Sequence, residues 1–172
     1  MLFLVEANEK YTGELAQFKK EVLLYDKNRK VQFAGCMGLR DCSTEKDWIN
    51  LCNLRKRTET CEQAGTTVPS TTYFAIRESD NRLVGVIDLR HHIDHPILGT
   101  WGGHCGYSVR PSERGKGYAN EMLRLNIQNA KRMGLSKLLV VCDETNAASE
   151  KTILANGGVF EKYIEIDGCR MK

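Results

Sequence analysis

No Cys-x-x-Cys pair occurs among the seven cysteines of this 172-residue chain, and an odd number at irregular spacings makes no disulfide framework. Reduced thiols in a reducing compartment are the expectation. Long apolar runs are missing as well, none approaching the length of a membrane span. The opening Met1-Leu2-Phe3-Leu4-Val5 runs straight into Glu6 without a basic leader or a small-residue cleavage site, and so reads as a strand, not a signal peptide. By elimination these absences point to the cytoplasm and to no membrane partner. Nor does one sign of charge dominate. Lys and Arg number 25 against 22 Asp and Glu, and the bases are interspersed with acids, which argues against a nucleic-acid partner. His92-Ile93-Asp94-His95 lacks the spacing of a zinc motif and reads as a solvated strand end, with no metal. The nucleotide P-loop and the dinucleotide fingerprint are both absent, because the glycines around Lys116 are wrongly spaced for either.

What is present suits one compact domain over residues 1–172, with 41% apolar and 27% charged residues. Residues 2–6 read as an edge or near-edge strand. Tyr11, Leu15, Phe18 and Val22 fall at helical spacing between Lys10 and Leu24. Thr44 followed by Asp47 looks like a helix start, with Trp48, Leu51, Cys52 and Arg55 on one face. Thr60 to Ser70 reads as a loop. Residues 72–77 and 83–91 are strands joined by the turn residues Ser79-Asp80-Asn81-Arg82, an antiparallel hairpin. Gly102 to Val109 is the next strand, with glycines that mark a bulge or a close approach. Met122, Leu123, Ile127, Ala130 and Met133 then stripe a helix over 119–133 that Gly134 stops. Ser136 to Cys142 is an apolar strand expected to be covered on both faces, followed by a helix over 146–155 and a last strand from Val159.

The chain is organised around Val109-Arg110-Pro111-Ser112-Glu113-Arg114-Gly115-Lys116-Gly117-Tyr118-Ala119, which reads as strand, tight turn and helix start. Glycines and an alanine there let successive amides turn toward one point. The helix behind them adds unpaired N-terminal donors and the positive end of its dipole, so the stretch suits a diphosphate without a metal.

Arg114, Gly117 and Ala119 match Arg/Gln-x-x-Gly-x-Gly/Ala, and Asn146-Ala147-Ala148-Ser149 opens a helix ending at Asn156-Gly157-Gly158. Strand, loop, helix, strand and Asn-led helix together resemble the GNAT N-acetyltransferase superfamily over roughly the last seventy residues. Gly102-Gly103-His104-Cys105-Gly106-Tyr107-Ser108-Val109-Arg110-Pro111-Ser112-Glu113-Arg114 is similar to its bacterial branch. The resemblance implies an α/β fold: a twisted mixed sheet of about six to seven strands with helices on both faces. It implies acetyl-coenzyme A as cosubstrate and transfer of its acetyl group to a primary amine of a small molecule or peptide. An acyl-coenzyme A sensor with the same fold and little turnover is the alternative, and a homodimer is compatible with either. The family usually adds one more strand beyond the position of Lys172, so the last residues are expected to form at most a curtailed version.

Residue by residue, the resemblance places the pyrophosphate on the amides of Arg114, Gly115, Lys116, Gly117, Tyr118 and Ala119, with the Arg114 and Lys116 side chains adding charge. It places the pantetheine arm along the main chain of Ser108 and Val109 and near Asn146 and Ser149. His104 stands where relatives carry a glutamate and is the candidate base, with Asp88 as the second. A tyrosine that many relatives place seven residues beyond the asparagine is Ile153 here, so that acid is absent. Tyr107 and Tyr163 are the remaining phenols nearby, and Cys142 reads as a core thiol.

Overall fold

The computed structural model describes residues 1–29 and 31–172. Four strands, β1 (Leu2–Glu6), β2 (Ser70–Arg77), β3 (Arg82–Arg90) and β4 (Tyr107–Val109), form an antiparallel sheet in that order. The β2–β3 hairpin turns through Asn81, whose φ of 55° suits the asparagine at a tight turn. β1 is an edge strand, as its short apolar run suggested.

Helices cover both faces. α1 (Thr12–Tyr25) buries Leu15, Phe18 and Val22, three positions at helical spacing, and α2 (Glu45–Arg55) packs beside it. Thr44 caps α2 by accepting the Asp47 amide at 3.1 Å while its hydroxyl donates to the Asp47 carboxylate at 2.7 Å. The buried face of α2 is Trp48, Ile49, Cys52 and Arg55, with Leu51 only half-buried. Trp48 stacks on Phe74 of β2, which Tyr11 meets edge-on. On the opposite face α4 (Tyr118–Arg132) lays Met122 and Leu123 against β3 and buries Ala130 further along. Met133 lies beyond the end of that helix and is exposed, because Gly134 turns the chain away at φ +83°.

Several expectations are corrected. The first half of the Thr60–Ser70 loop is helical: α3 (Thr58–Cys61) runs into a 3₁₀ turn, Glu62–Ala64. Buried Arg55 donates to the Ala64 carbonyl at 3.2–3.3 Å and to the Met37 carbonyl at 2.7 Å, tying down two connections that composition alone marks as loose. The strand expected over Gly102–Val109 is a ladder only from Tyr107. Before it lie a π-helical turn, Leu98–Gly102, and a bulge that Gly103 permits at φ +64°. Residues 136–142 form no ladder strand. Leu138 to Val141 are only half-buried, so coverage on both faces is not what this apolar run receives. The last residues do form strands, β5 (Ile164–Ile166) and β6 (Cys169–Met171), which follow α5 (Ala147–Ala155) as a separate antiparallel hairpin. Cys142 and Lys172 exchange main-chain hydrogen bonds at 2.8 and 2.9 Å, joining segment 138–142 to the end of that hairpin. Cys36, Cys42, Cys52, Cys61, Cys105 and Cys142 carry free thiols.

One contact fixes where the α1–α2 connection crosses the sheet. A Cβ on Gly106 would meet the Gly35 nitrogen at 2.7 Å, and one on Gly35 would meet the Gly106 oxygen at 2.3 Å. Ser108 Oγ donates to the Ala34 carbonyl at 2.8 Å alongside. Both obstacles are main chain and cannot rotate aside. Gly106→Ala is therefore expected to destabilise the protein by about 1–3 kcal/mol, read as a lowered thermal midpoint. A midpoint equal to the parent's would show that the crossing is not tight.

Candidate functional site

β4 has one paired and one open edge. Arg110 donates to Val84, Asp88 to Gly106 and Arg90 to His104 across the β3 side, so the even-numbered residues turn their main chain toward β3. By the alternation of an antiparallel ladder, Tyr107 and Val109 turn theirs outward. Of the two positions expected to line the pantetheine arm, Val109 turns its main chain to the open edge, where Arg114 Nε donates to its carbonyl at 3.2 Å. Ser108 turns toward β3, and Tyr107 toward the open edge.

Segment 138–142 lies beyond that open edge. His104 joins it to β4: the His104 amide donates to the Leu139 carbonyl at 2.8 Å, and the Leu139 amide donates to His104 Nδ1 at 2.9 Å. Past this point no main-chain bond among the described residues links Cys105–Val109 to Val140–Cys142. The two stretches are thus tied at His104 and share no main-chain bond from there toward the loop after β4, an unbonded seam, or slot, between them.

That loop is a 3₁₀ turn, Pro111–Glu113, followed by Arg114 and two glycines at φ +76° and +80° leading into α4. Among the described residues no hydrogen bond takes up the amides of Gly115, Lys116, Gly117, Tyr118 or Ala119. No atom lies within 4 Å of where a Cβ of Gly115 or Gly117 would stand. Free amides, open glycines and a fifteen-residue helix behind them fit a bound diphosphate.

The cationic side chains of this loop point elsewhere. Arg114 makes a bidentate pair with Asp26 at the end of α1, one arm at 2.7 Å, and Lys116 donates to Glu113 at 2.8 Å. The charge expected beside a phosphate is thus spent on holding the loop's shape. Arg110, 3% exposed, donates to Glu21 at 2.6 Å and Glu14 at 2.8 Å. Glu21 also accepts the Ser112 amide at 3.1 Å. Arg77 and Lys116 hydrogen-bond buried Glu113, Arg82 pairs with it at 3.1 Å, and Arg77 also donates to the Tyr118 hydroxyl. The Arg114 guanidinium holds the Asp26 carboxyl below its ordinary range against the opposing effect of burial. Burial alone would raise Glu21 and Glu113, but the bonds from Arg110 and Ser112, and from Lys116 and Arg77, bring both down. Sequence reading missed Glu14, Glu21 and Asp26. Two acids seven apart on one helical face were the available signal, masked by the apolar stripe beside them.

Both candidate bases are built into the bulge. Asp88 accepts the Gly106 amide at 2.5 Å, pairs with Arg90 at 3.3 Å, and is held above the usual carboxylate range by burial. His104 has Nδ1 occupied by Leu139, which leaves its proton on Nε2, a donor and not an acceptor. Asn146 caps α5 by accepting the Ser149 amide at 3.1 Å. Ser149 Oγ and Tyr107 Oη lie 2.8 Å apart, bringing two expected or considered residues together across the slot. Burial pushes the Tyr107 phenol up to about 12, despite the Ser149 bond. Ile153, where a tyrosine was sought, lines an apolar cavity of about 410 Å³ with Leu123, Ile127, Leu138, Val140 and Phe160. Tyr163 instead packs on Phe160 and under Arg170. Among the described residues no group of three His, Cys, Asp or Glu is placed to hold a metal ion, and no helix is long and apolar enough to cross a membrane.

A helix-flanked sheet with a free-amide turn between an edge strand and a long helix defines the class, an α/β protein with a turn suited to a phosphate-bearing ligand. Residues 24–159 match the family model described as Acetyltransferase (GNAT) domain, and the chain belongs to that family. Among solved structures, the GNAT-family acetyltransferase from Bacillus anthracis is similar at 18% identity and a TM-score of 0.59, over 99% of this chain and 90% of that one. RimJ of Mycobacterium smegmatis, solved with CoA-disulfide, is 16% identical with a TM-score of 0.63, over 99% of this chain and 78% of its own. The Microcin C7 self-immunity acetyltransferase MccE, solved with acetyl-CoA and AMP, is 18% identical at 0.63, over 99% and 89%. These likenesses carry the fold. No curated protein matches the chain.

Proposed function

We propose that this protein transfers the acetyl group of acetyl-coenzyme A to a primary amine of a small molecule or peptide. The observation that carries this reading is the run of free amides from Gly115 to Ala119, in the turn that directly follows the open edge of β4. Those amides and the start of α4 would grip the diphosphate of the coenzyme. The outward main chain of Tyr107 and Val109 would pair with its amide-bearing arm, like one further strand. When bound, the coenzyme supplies a thioester, an acyl group already activated toward an amine.

The slot contributes positioning and one proton-bearing group. Its narrow end at His104 stops the arm at a fixed depth, so an amine entering from outside meets the carbonyl in a limited set of geometries. The Tyr107 phenol, kept protonated at neutral pH by burial and oriented by Ser149, can donate a hydrogen bond or a proton to the departing thiolate. Asp88 and His104 act here by shaping β4, so the amine must reach the slot neutral or lose its proton to water.

Release of free thiol from acetyl-coenzyme A, followed with a panel of primary amines, tests the reading. Amine-dependent release, with coenzyme A competing and ATP not, is expected. Absence of coenzyme A binding in a direct titration would remove it.

A further inference from the structure

We propose that His104 is a positioning residue that sets the vertex of the coenzyme slot, its imidazole standing in for a main-chain carbonyl where β4 and segment 138–142 part. This rests on the reading of that slot as the coenzyme site.

Leu139 gives both of its main-chain groups to one residue. Its carbonyl takes the His104 amide at 2.8 Å and its amide takes Nδ1 at 2.9 Å. His104 meanwhile accepts the Arg90 amide at 2.7 Å through its carbonyl, so the same residue is tied to β3. In a regular strand the N–H and C=O of one residue point the same way. Here they point to opposite neighbours, which is only possible because the chain bulges. The bulge is held from both sides: Asp88 captures the Gly106 amide, and at Gly103 any Cβ would meet the Leu139 oxygen at 2.7 Å. The peptide twist leaves His104 without a second main-chain group to offer Leu139, and the ring fills that vacancy. Past it the two walls share no main-chain bond among the described residues.

An imidazole differs from a carbonyl in one respect: it titrates. Protonation of Nδ1 would set an N–H against the N–H of Leu139 and open the vertex. The charged and titratable groups that act on the ring are Arg90 from β3 and His92 and Asp94 from the connection after it, while residues 138–141 bring only apolar side chains. Burial, the largest influence and seconded by Arg90 and His92, holds the His104 pKa below its ordinary value against the opposing pull of the Leu139 main chain and Asp94. The bond is therefore intact at neutral pH and is lost as pH falls through that lowered value.

The test uses the full chain, with two readouts: hydrogen exchange at the Leu139 amide and titration with coenzyme A. In the parent the amide is protected at about pH 7.5 and loses protection, together with coenzyme affinity, toward about pH 5. His104→Ala should abolish the protection and weaken coenzyme A binding about tenfold. His104→Asn places an acceptor oxygen at the same distance from Cα and does not titrate. It should hold protection and affinity within about threefold of the parent and remove the acid loss of both. If His104→Asn behaves like His104→Ala, or if Leu139 exchanges equally in all three, the proposal is overturned. If both variants bind coenzyme normally and lose only turnover, His104 is a base and the proposal is equally overturned. Should the parent bind no coenzyme A, the functional reading fails, while the exchange of Leu139 still reports on His104.

Discussion

Gly117→Trp is expected to weaken coenzyme A binding about 100-fold or more, since losing two amide-to-phosphate bonds at about 1.5 kcal/mol each amounts to that factor. The fold should survive. Gly117 sits at the N-cap of α4 with φ +80° and nothing within 4 Å of its Cβ position, so the indole projects into open space and not into the core. The backbone alone costs about 1–2 kcal/mol for a residue with a Cβ in that conformation, a fall of roughly 2–8 °C in thermal midpoint for a domain of this size. Gly117→Ala bears the same backbone cost without the indole and separates the two effects. It should bind coenzyme A far better than Gly117→Trp. Calorimetric titration of both variants decides the matter, and unchanged affinity in the tryptophan variant would detach the loop from ligand binding altogether.

Arg110→Met should give the largest loss of stability. The guanidinium is almost wholly buried and is the shared partner of Glu14 and Glu21. Only the guanidinium is deeply buried, Glu14 and Glu21 being partly solvated, so removing it costs at most about 3 kcal/mol, the low end for breaking a buried pair. That corresponds to roughly 6–12 °C in midpoint. Glu21 would also lose the geometry that lets it accept the Ser112 amide, so coenzyme affinity should drop with stability. Acid carries the same signature. Glu21, Asp26 and Glu113 titrate below their ordinary values in the folded protein. The stability they contribute is fully present above the ordinary carboxylate range of about 4 and is lost as pH falls through the depressed values. Thermal midpoints measured through that window should fall steeply in the parent and less steeply in Arg110→Met, where Glu21 no longer has its partner. Equal slopes would mean that the cluster contributes nothing to acid stability.

Those two sites show what a sequence discloses and what it hides. The turn at Gly115–Ala119 was legible because its chemistry is local: glycines at fixed spacing, an apolar strand before and an amphipathic stripe after. The hairpin of β2 and β3, the cap at Thr44 and the stop at Gly134 were legible for the same reason. The direction of Arg114 was not, because its partner Asp26 lies 88 residues away. Local pattern assigns a cation in a phosphate loop to the phosphate, whereas tertiary structure assigns it to a helix end. His104 was singled out as the candidate base, on a glycine-rich stretch. Its ring, however, meets a main-chain amide, and no side-chain spacing reveals that. Segment 138–142 was misjudged through a rule that holds for interior strands. Its apolar residues border a slot and a cavity, and so look buried in sequence while standing half-open in space.

The pairing of α1 with the loop has a consequence for how the protein is made. Glu14, Glu21 and Asp26 are separated from Arg110 and Arg114 by 88 to 96 residues. At synthesis rates of about 5–20 residues per second, the first helix leaves the ribosome roughly 4–20 s before the arginines that neutralise it. Throughout that interval Arg29 stands beside Asp26, Lys19 and Lys20 share the helix with Glu14 and Glu21, and the turn after β4 acquires its shape only when the late arginines arrive to meet that helix.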